Sequence, residues 1–127
     1  MTRKQSREAA FKIIYSFGFD AENKDGLFDD LEVTGPELEY IKNLVNKTSE
    51  NLGSIDDLIR GNSKGFSFGR LFLVDLALLR LGVAEILHIE ETPAPVVIDA
   101  VVTLAKRYST EKSVGFINGI LATIAGK

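Results

Sequence analysis

The chain of 127 residues contains no cysteine and a single histidine, His88. Without thiols there can be no disulfide framework, no thiolate metal site and no cysteine nucleophile. A Ser-His-Asp arrangement would have to use His88, and no nucleophile-elbow sequence accompanies it. The carboxylates do not follow the spacing of an EF-hand loop either. These absences argue against an enzyme, and we expect neither a cofactor nor a metal ion.

Long apolar runs are also missing. The longest apolar segment, LFLVDLALLRLGVAEIL at residues 71–87, contains Asp75, Arg80 and Glu85. It is too short and too charged to span a bilayer, so it should form the interior of a folded domain. Met1 is not followed by the apolar core of a signal peptide. We therefore expect a cytoplasmic protein that does not act on membranes.

The charge of the chain is small overall but unevenly distributed. The net charge is −3, which is unusual for a protein that holds nucleic acid by charge alone. Residues 1–12 carry four cations against Glu8, whereas residues 20–39 carry eight carboxylates against Lys24. Any binding of nucleic acid must therefore be local. The acidic segment would confine nucleic acid to one face or bind a basic protein partner.

The spacing of apolar residues predicts helices along the whole chain. Thr34, Pro36 and Glu37 suggest a capping box that begins one of them. Residues 96–108 are rich in β-branched side chains, but their length and the lack of a partner strand favour helix. The glycine-rich residues 61–69 lack the second half of a phosphate-binding loop and should form an ordinary loop. The predicted fold is one all-α domain of six or seven antiparallel helices, at residues 3–17 (ending before Gly18), around 27–31, and at 36–52, 54–61, 70–88, 96–108 and 113–125.

A stripe of cations and aromatic rings marks the first predicted helix. Lys4, Arg7, Phe11 and Tyr15 follow one another at intervals of three, four and four residues, so they should share one face. Cations suit phosphates and ring faces suit bases, as in sites for single-stranded nucleic acid. Arg3, Lys4 and Arg7 oppose the helix dipole, an arrangement that costs least when an anion is bound. The alternative is a solvated basic end with Phe11 and Tyr15 packed in the core.

Two further features depart from the apolar pattern of their helices. Asp75 and Arg80 lie in the most apolar segment of the chain, where charges must be paired internally or face a partner. Asn118 and Gly119 interrupt an otherwise apolar helix, although glycine is unfavourable there. Either Gly119 permits close contact between helices, or this neighbourhood belongs to a binding site.

Four short motifs occur in a fixed order and together resemble the NusB family of bacterial transcription antitermination factors. The resemblance runs from residue 3 to about residue 124, and four motifs in this order are specific although each alone is modest. The chain differs from the usual family pattern at Asp99, Ala100, Lys112 and Gly115. The motifs are Arg3-Lys4 with Arg7-Glu8-Ala9-Ala10 and Tyr15; Val74-Asp75 with Leu79-Arg80-Leu81 and Glu85; Leu104-Ala105-Lys106; and Phe116-Ile117-Asn118-Gly119-Ile120-Leu121.

This resemblance implies an all-helical fold of two small bundles packed crosswise, and no catalysis. Members of the family pair with NusE, a ribosomal protein that doubles as a transcription factor, and the heterodimer binds the boxA element of nascent ribosomal RNA leaders. Asp75 and the nearby surface of the central helix would lie close to the NusE contact. The residues that would face RNA are Arg3, Lys4, Arg7, Tyr15, Phe116 and Asn118.

The leading hypothesis is therefore a non-enzymatic adaptor that binds single-stranded boxA RNA with NusE and serves the transcription elongation complex. A second hypothesis is a protein-only adaptor or dimerisation module, and a homodimer is compatible with the apolar central helix. A third is a fragment of a ribosomal RNA cytosine methyltransferase, some of which carry a NusB-like front domain. That hypothesis requires a cofactor-binding domain and a catalytic cysteine, and the sequence contains neither.

Overall fold

The structure, a computed structural model, describes residues 1–17, 24–63 and 68–126. Within these ranges the chain forms seven α-helices, one 3-10 turn at Phe68–Arg70 and no strand. The predicted end of the first helix at Gly18 and the centre of the glycine-rich loop lie outside them. The helices are α1 (Arg3–Phe17), α2 (Lys24–Asp29), α3 (Pro36–Glu50), α4 (Leu52–Gly61), α5 (Leu73–His88), α6 (Ala94–Tyr108) and α7 (Glu111–Ala125).

Helix α5 is the centre of the molecule. Every residue from Asp75 to Glu85 is buried, as its apolar character on all sides predicted. Helices α1, α3 and α4 pack against one part of it, and α6 and α7 pack against another. The two small bundles thus share one central helix, which confirms the predicted all-α fold.

Neighbouring helices approach α5 closely at Gly82. A Cβ atom built on this residue would lie 2.9 Å and 3.0 Å from the two Cδ atoms of Leu121 in α7, and 3.4 Å from Val101 Cγ2 in α6. Leu121 is itself fully buried, so its side chain has little room to move aside. Glycine at this position therefore lets α6 and α7 pack close to the axis of α5.

Several predicted helix boundaries differ from the structure, by two or three residues at the starts of α5, α6 and α7. Helix α3 does begin at Pro36, but its N-cap is Gly35, and no side-chain hydrogen bond caps it. The predicted capping box is therefore wrong, because Gly35 takes the cap position with a positive φ of 74°. The break before α4 falls at Asn51 rather than at Gly53, which lies inside the helix.

The β-branched segment at residues 96–108 is helical, and a short helix lies near the one predicted around residues 27–31. Residues 94–108 form α6, since Val97 and Val101 pack fully buried one turn apart in the core. Helix α2 occupies part of the acidic segment, and its Phe28 is buried. Among the described helices, none is both long and apolar enough to cross a membrane.

Candidate functional site

The stripe predicted on α1 divides between the surface and the interior. Lys4 is exposed and Tyr15 is 49% exposed, whereas Phe11 is 1% exposed and Arg7 is 4% exposed. Lys4 and Tyr15 are separated by about three turns and share a face. Arg7 and Phe11 lie between them along the helix, and their side chains are covered by residues of other helices. The alternative, in which both rings pack in the core, is therefore confirmed for Phe11 and wrong for Tyr15. Binding of nucleic acid by Lys4 and Tyr15 stays a prediction.

Arg7 pairs with a buried acid of the central helix. Its Nε lies 2.7 Å from Glu85 Oε1, and its Nη2 lies 2.8 Å from Glu85 Oε2. The Glu85 side chain is completely buried, so the two charges need each other in the absence of water. The prediction that Arg7 faces RNA is therefore wrong, because its guanidinium is used to neutralise an internal carboxylate.

Tyr40 of α3 completes this buried cluster. Its hydroxyl donates a hydrogen bond of 2.9 Å to Glu85 Oε2. Burial, reinforced by the negative charge of Glu85, raises the pKa of Tyr40 well above its usual value. Burial alone would lower the pKa of Arg7, but the hydrogen bond and charge of Glu85 outweigh it and raise that pKa. We call Arg7, Tyr40 and Glu85 the buried charge cluster.

The raised pKa of Tyr40 predicts a loss of stability in alkali. Because the unfolded chain releases this proton near pH 10 and the folded chain holds it longer, the contribution is complete below about pH 10 and is lost above it. The free energy of unfolding should fall by up to about 1.4 kcal/mol per pH unit from this group. Urea unfolding between pH 8 and 11 would measure the slope, which Tyr40→Phe should flatten. Tyr15→Phe is the matched control, and an equal slope in Tyr40→Phe and the parent would contradict the assignment.

Arg3 lies over the ring of Tyr40. The distance from its guanidinium carbon to the ring centroid is 3.8 Å, which is within the range of a cation–π interaction. Glu91 approaches the same side chain at 3.9 Å, and Arg3 remains 50% exposed. Arg3 therefore contacts the Tyr40 ring on one side and is open to solvent on another.

Three aromatic rings are packed beside the exposed part of α1. The rings of Phe11 and Tyr15 are nearly parallel, at an angle of 2° and a centroid distance of 6.1 Å. Tyr108 of α6 lies behind Phe11, with a centroid distance of 5.2 Å. The prediction that Phe11 presents a ring face to nucleic acid is therefore wrong, because Phe11 is buried beneath its neighbours. Tyr15 is the ring that this stack presents to solvent.

The end of α6 also adjoins this surface, although it was not predicted to be part of it. Arg107 Nη1 lies 2.9 Å from Glu8 Oε2, and Arg107 is 66% exposed. The hydroxyl of Tyr108 also donates to Glu8. The adjacent Lys106 is exposed. The run Lys106-Arg107-Tyr108 repeats the combination of cations and a ring, and that repetition was the signal available in the sequence.

Asp75 lies beneath the surface rather than on it. It is 4% exposed, and its carboxylate accepts hydrogen bonds from Ser109 Oγ at 2.5 Å and Ser113 Oγ at 2.6 Å. The idea that its charge faces a partner is therefore wrong, because the carboxylate ties α5 to the junction between α6 and α7. Arg80, in contrast, forms the predicted internal pair, with Asp56 at 2.8 Å.

The surface above Asp75 is an apolar groove of about 590 Å³ between the start of α5 and the start of α7. Phe72 is 60% exposed and the adjacent Leu73 is 64% exposed, although large apolar side chains usually avoid water. Phe116 is half-buried in the groove. The residues that line this partner groove are Arg70, Leu71, Phe72, Asp75, Thr110, Glu111, Lys112, Ser113 and Phe116.

Asn118 is exposed on α7, two residues beyond Phe116. A Cβ atom built on Gly119 would meet no neighbouring atom within 4 Å among the described residues. Close helix contact therefore does not explain Gly119, and the close contact belongs to Gly82 instead. Within the described part of the chain, no group of three or more histidine, aspartate or glutamate side chains could hold a metal ion.

The helical fold described above is consistent with the family and the solved structures that this chain resembles. A family model described as the NusB family matches residues 4–126. The transcription antitermination protein NusB of Natranaerobius thermophilus is 38% identical over all of this chain and 96% of its own length. A solved structure of T. maritima NusB has a TM-score of 0.91 and 34% identity, covering 100% of this chain and 92% of that one. A crystal structure of NusB and NusE in complex with dsRNA has a TM-score of 0.85 and 32% identity, covering 98% and 96%.

Proposed function

Because the chain belongs to the NusB family, we propose that it is a cytoplasmic transcription antitermination factor that binds boxA RNA of ribosomal RNA leaders together with NusE. In this role it would support transcription of ribosomal RNA by the elongation complex. The observation that carries the proposal is the exposed Tyr15 ring, which shares its face of α1 with Lys4. A half-exposed ring provides stacking for a base, and a cation about three turns away on the same face attracts a phosphate of the same strand.

The RNA-binding surface consists of Arg3, Lys4, Tyr15 and Arg107. Arg107 joins the set because its pair with Glu8 places it against α1 while most of its side chain stays in solvent. Phe116 and Asn118 remain proposed RNA contacts from the family resemblance. An exposed ring favours single-stranded RNA, because the base faces of a duplex are already stacked.

This surface should bind RNA weakly without a partner. Each phosphate contact with a single strand changes the logarithmic salt slope by about −0.7, so three cations produce a slope of only about −2. One stacked base adds roughly 1–3 kcal/mol. Because the net charge of the chain is −3, the rest of its surface as a whole repels the phosphates of RNA. We therefore infer that NusE supplies much of the affinity.

The test is a titration of labelled single-stranded boxA RNA with the chain and NusE at two salt concentrations. Replacing Lys4 and Tyr15 by alanine together should weaken binding about tenfold or more, because one phosphate contact and one stacked base are lost. Arg60→Ala, which removes an exposed cation of α4, is the matched control and should bind like the parent. Circular dichroism would verify that all variants fold.

Two results of this titration would contradict the proposal. One is equal binding by the parent and the Lys4/Tyr15 double variant at moderate salt. The other is equal affinity for a duplex of the same sequence, since Tyr15 could not then be stacking on a base. Failure of the parent to bind RNA even with NusE would favour the protein-only adaptor.

We propose that NusE docks on the partner groove. The support is the exposure of Phe72 and Leu73 together with the family resemblance, which puts the NusE contact near Asp75. Exposed aromatic anchors that rim a groove are typical of protein interfaces. A second copy of the chain is the competing occupant, and sedimentation of the chain without NusE would reveal it as a dimer.

A further inference from the structure

We propose that Tyr40 is a positioning residue that holds Arg3 in place for RNA before the RNA arrives. This inference deepens the proposed function and depends on it, because Arg3 must be an RNA contact. It concerns a residue of α3 that is 7% exposed and that the sequence analysis did not select. The observation behind it is the contact between the Arg3 guanidinium and the Tyr40 ring.

The ring of Tyr40 is itself rigidly held. Its hydroxyl donates to Glu85, which is completely buried and also accepts two hydrogen bonds from Arg7. A tyrosine hydroxyl is protonated at neutral pH, and burial beside Glu85 raises its pKa further, so it remains a donor. The charge cluster therefore anchors one end of the ring deep between α1, α3 and α5. The face of the ring contacts the guanidinium of Arg3.

The contact with Tyr40 limits the motion of Arg3. A free arginine side chain samples many rotamers, and a ligand that binds it must overcome that entropy. At 3.8 Å from the ring centroid, the Arg3 guanidinium is restrained while half of the side chain still faces solvent. Binding to a group that is already ordered loses less entropy, which increases affinity. Lys4 provides the contrast, since it is exposed on the same helix.

The arrangement also sets the position of Arg3 relative to the rest of the surface. Arg7 lies one turn along α1 from Arg3, and its bidentate pair with Glu85 fixes the rotation of that helix. Arg3 contacts α3 through Tyr40, so Arg3 and Arg7 are both oriented by the buried charge cluster. The buried charges of Arg7 and Glu85 therefore determine the position of the exposed guanidinium of Arg3.

The test is a double-mutant cycle on boxA RNA binding in the presence of NusE. Tyr40→Leu removes the ring and should weaken RNA binding about three- to tenfold. Arg3→Ala should have a similar or larger effect, and the double variant should bind within about twofold of Arg3→Ala, because Tyr40 acts through Arg3. The conservative Tyr40→Phe keeps the ring and should retain most of the binding. A merely structural role would instead give independent losses that multiply.

Several outcomes would overturn the positioning role. These are full RNA binding by Tyr40→Leu, or losses in the double variant that equal the product of the two single losses. If Tyr40→Leu does not fold, proton NMR of the parent provides the second measurement. The side-chain protons of Arg3 should be shifted upfield by the Tyr40 ring with and without RNA, and ordinary shifts would refute the contact.

The experiments distinguish a wrong role for Tyr40 from a wrong proposed function. If the parent binds RNA and Lys4→Ala weakens that binding while Tyr40→Leu does not, only the role of Tyr40 is wrong. If the parent does not bind boxA RNA with NusE, the proposed function fails first. The NMR shifts of Arg3 would then still report whether the ring holds the side chain.

Discussion

Replacing Arg7 by alanine should lower the free energy of unfolding by about 3–5 kcal/mol, since it leaves the completely buried Glu85 without its counter-charge. Two charge-assisted hydrogen bonds are lost at the same time. Much of the cost comes from an uncompensated charge in the interior, not from the value of the pair itself. Urea unfolding followed by circular dichroism at pH 7 would measure the loss.

Arg107→Ala is the matched control for Arg7→Ala. It also removes an arginine paired with a glutamate, but its side chain is 66% exposed, so the loss should stay below about 1 kcal/mol. Replacing Arg7 and Glu85 by methionine together with Tyr40→Phe should recover much of the stability, because no buried polar group is then left unpaired. A loss below 1 kcal/mol in Arg7→Ala would show that Glu85 is not buried as described.

Replacing Phe72 by alanine should weaken binding of NusE by about thirtyfold or more. Truncation of a central aromatic anchor typically costs about 2 kcal/mol or more in an interface, and Phe72 is the exposed ring of the partner groove. Since Phe72 is 60% exposed in the free chain, its loss should change the free energy of unfolding by less than about 0.5 kcal/mol. Isothermal titration calorimetry with purified NusE would measure the affinity.

Val96→Ala is the control for Phe72→Ala, because Val96 is 52% exposed on α6 and does not line the groove. NusE should bind this variant as tightly as the parent. Unchanged affinity in Phe72→Ala would move the NusE contact to another surface. A parent that sediments as a dimer and a Phe72→Ala variant that sediments as a monomer would assign the groove to a second copy of the chain.

Most of the helices could be predicted because their signals are local. The 3.6-residue period identified α1 within its observed bounds, and Pro36 marked the start of α3. The family resemblance rested on short motifs in order, which a sequence displays directly. Helix α5 was identified as central because only an enclosed helix can be apolar on every side.

The division of the α1 stripe could not be predicted in the same way. The spacing predicted that Lys4, Arg7, Phe11 and Tyr15 share one face of α1. A helix face is broad, however, and spacing does not show which of its residues are covered by other helices. What draws Arg7 inside is Glu85, and 78 residues separate the two in the chain. Phe11 is covered by Tyr108, which is even farther along.

The amino-acid sequence by itself therefore determined the helices, the all-α fold and the family. It also determined that cations and rings would gather at the start of α1, because composition and periodicity are local properties. Only the tertiary structure decided which of those groups face water, because the fold determines which cation lies beside a buried carboxylate and pairs with it. The Arg7–Glu85 pair, for example, places one predicted RNA contact in the interior.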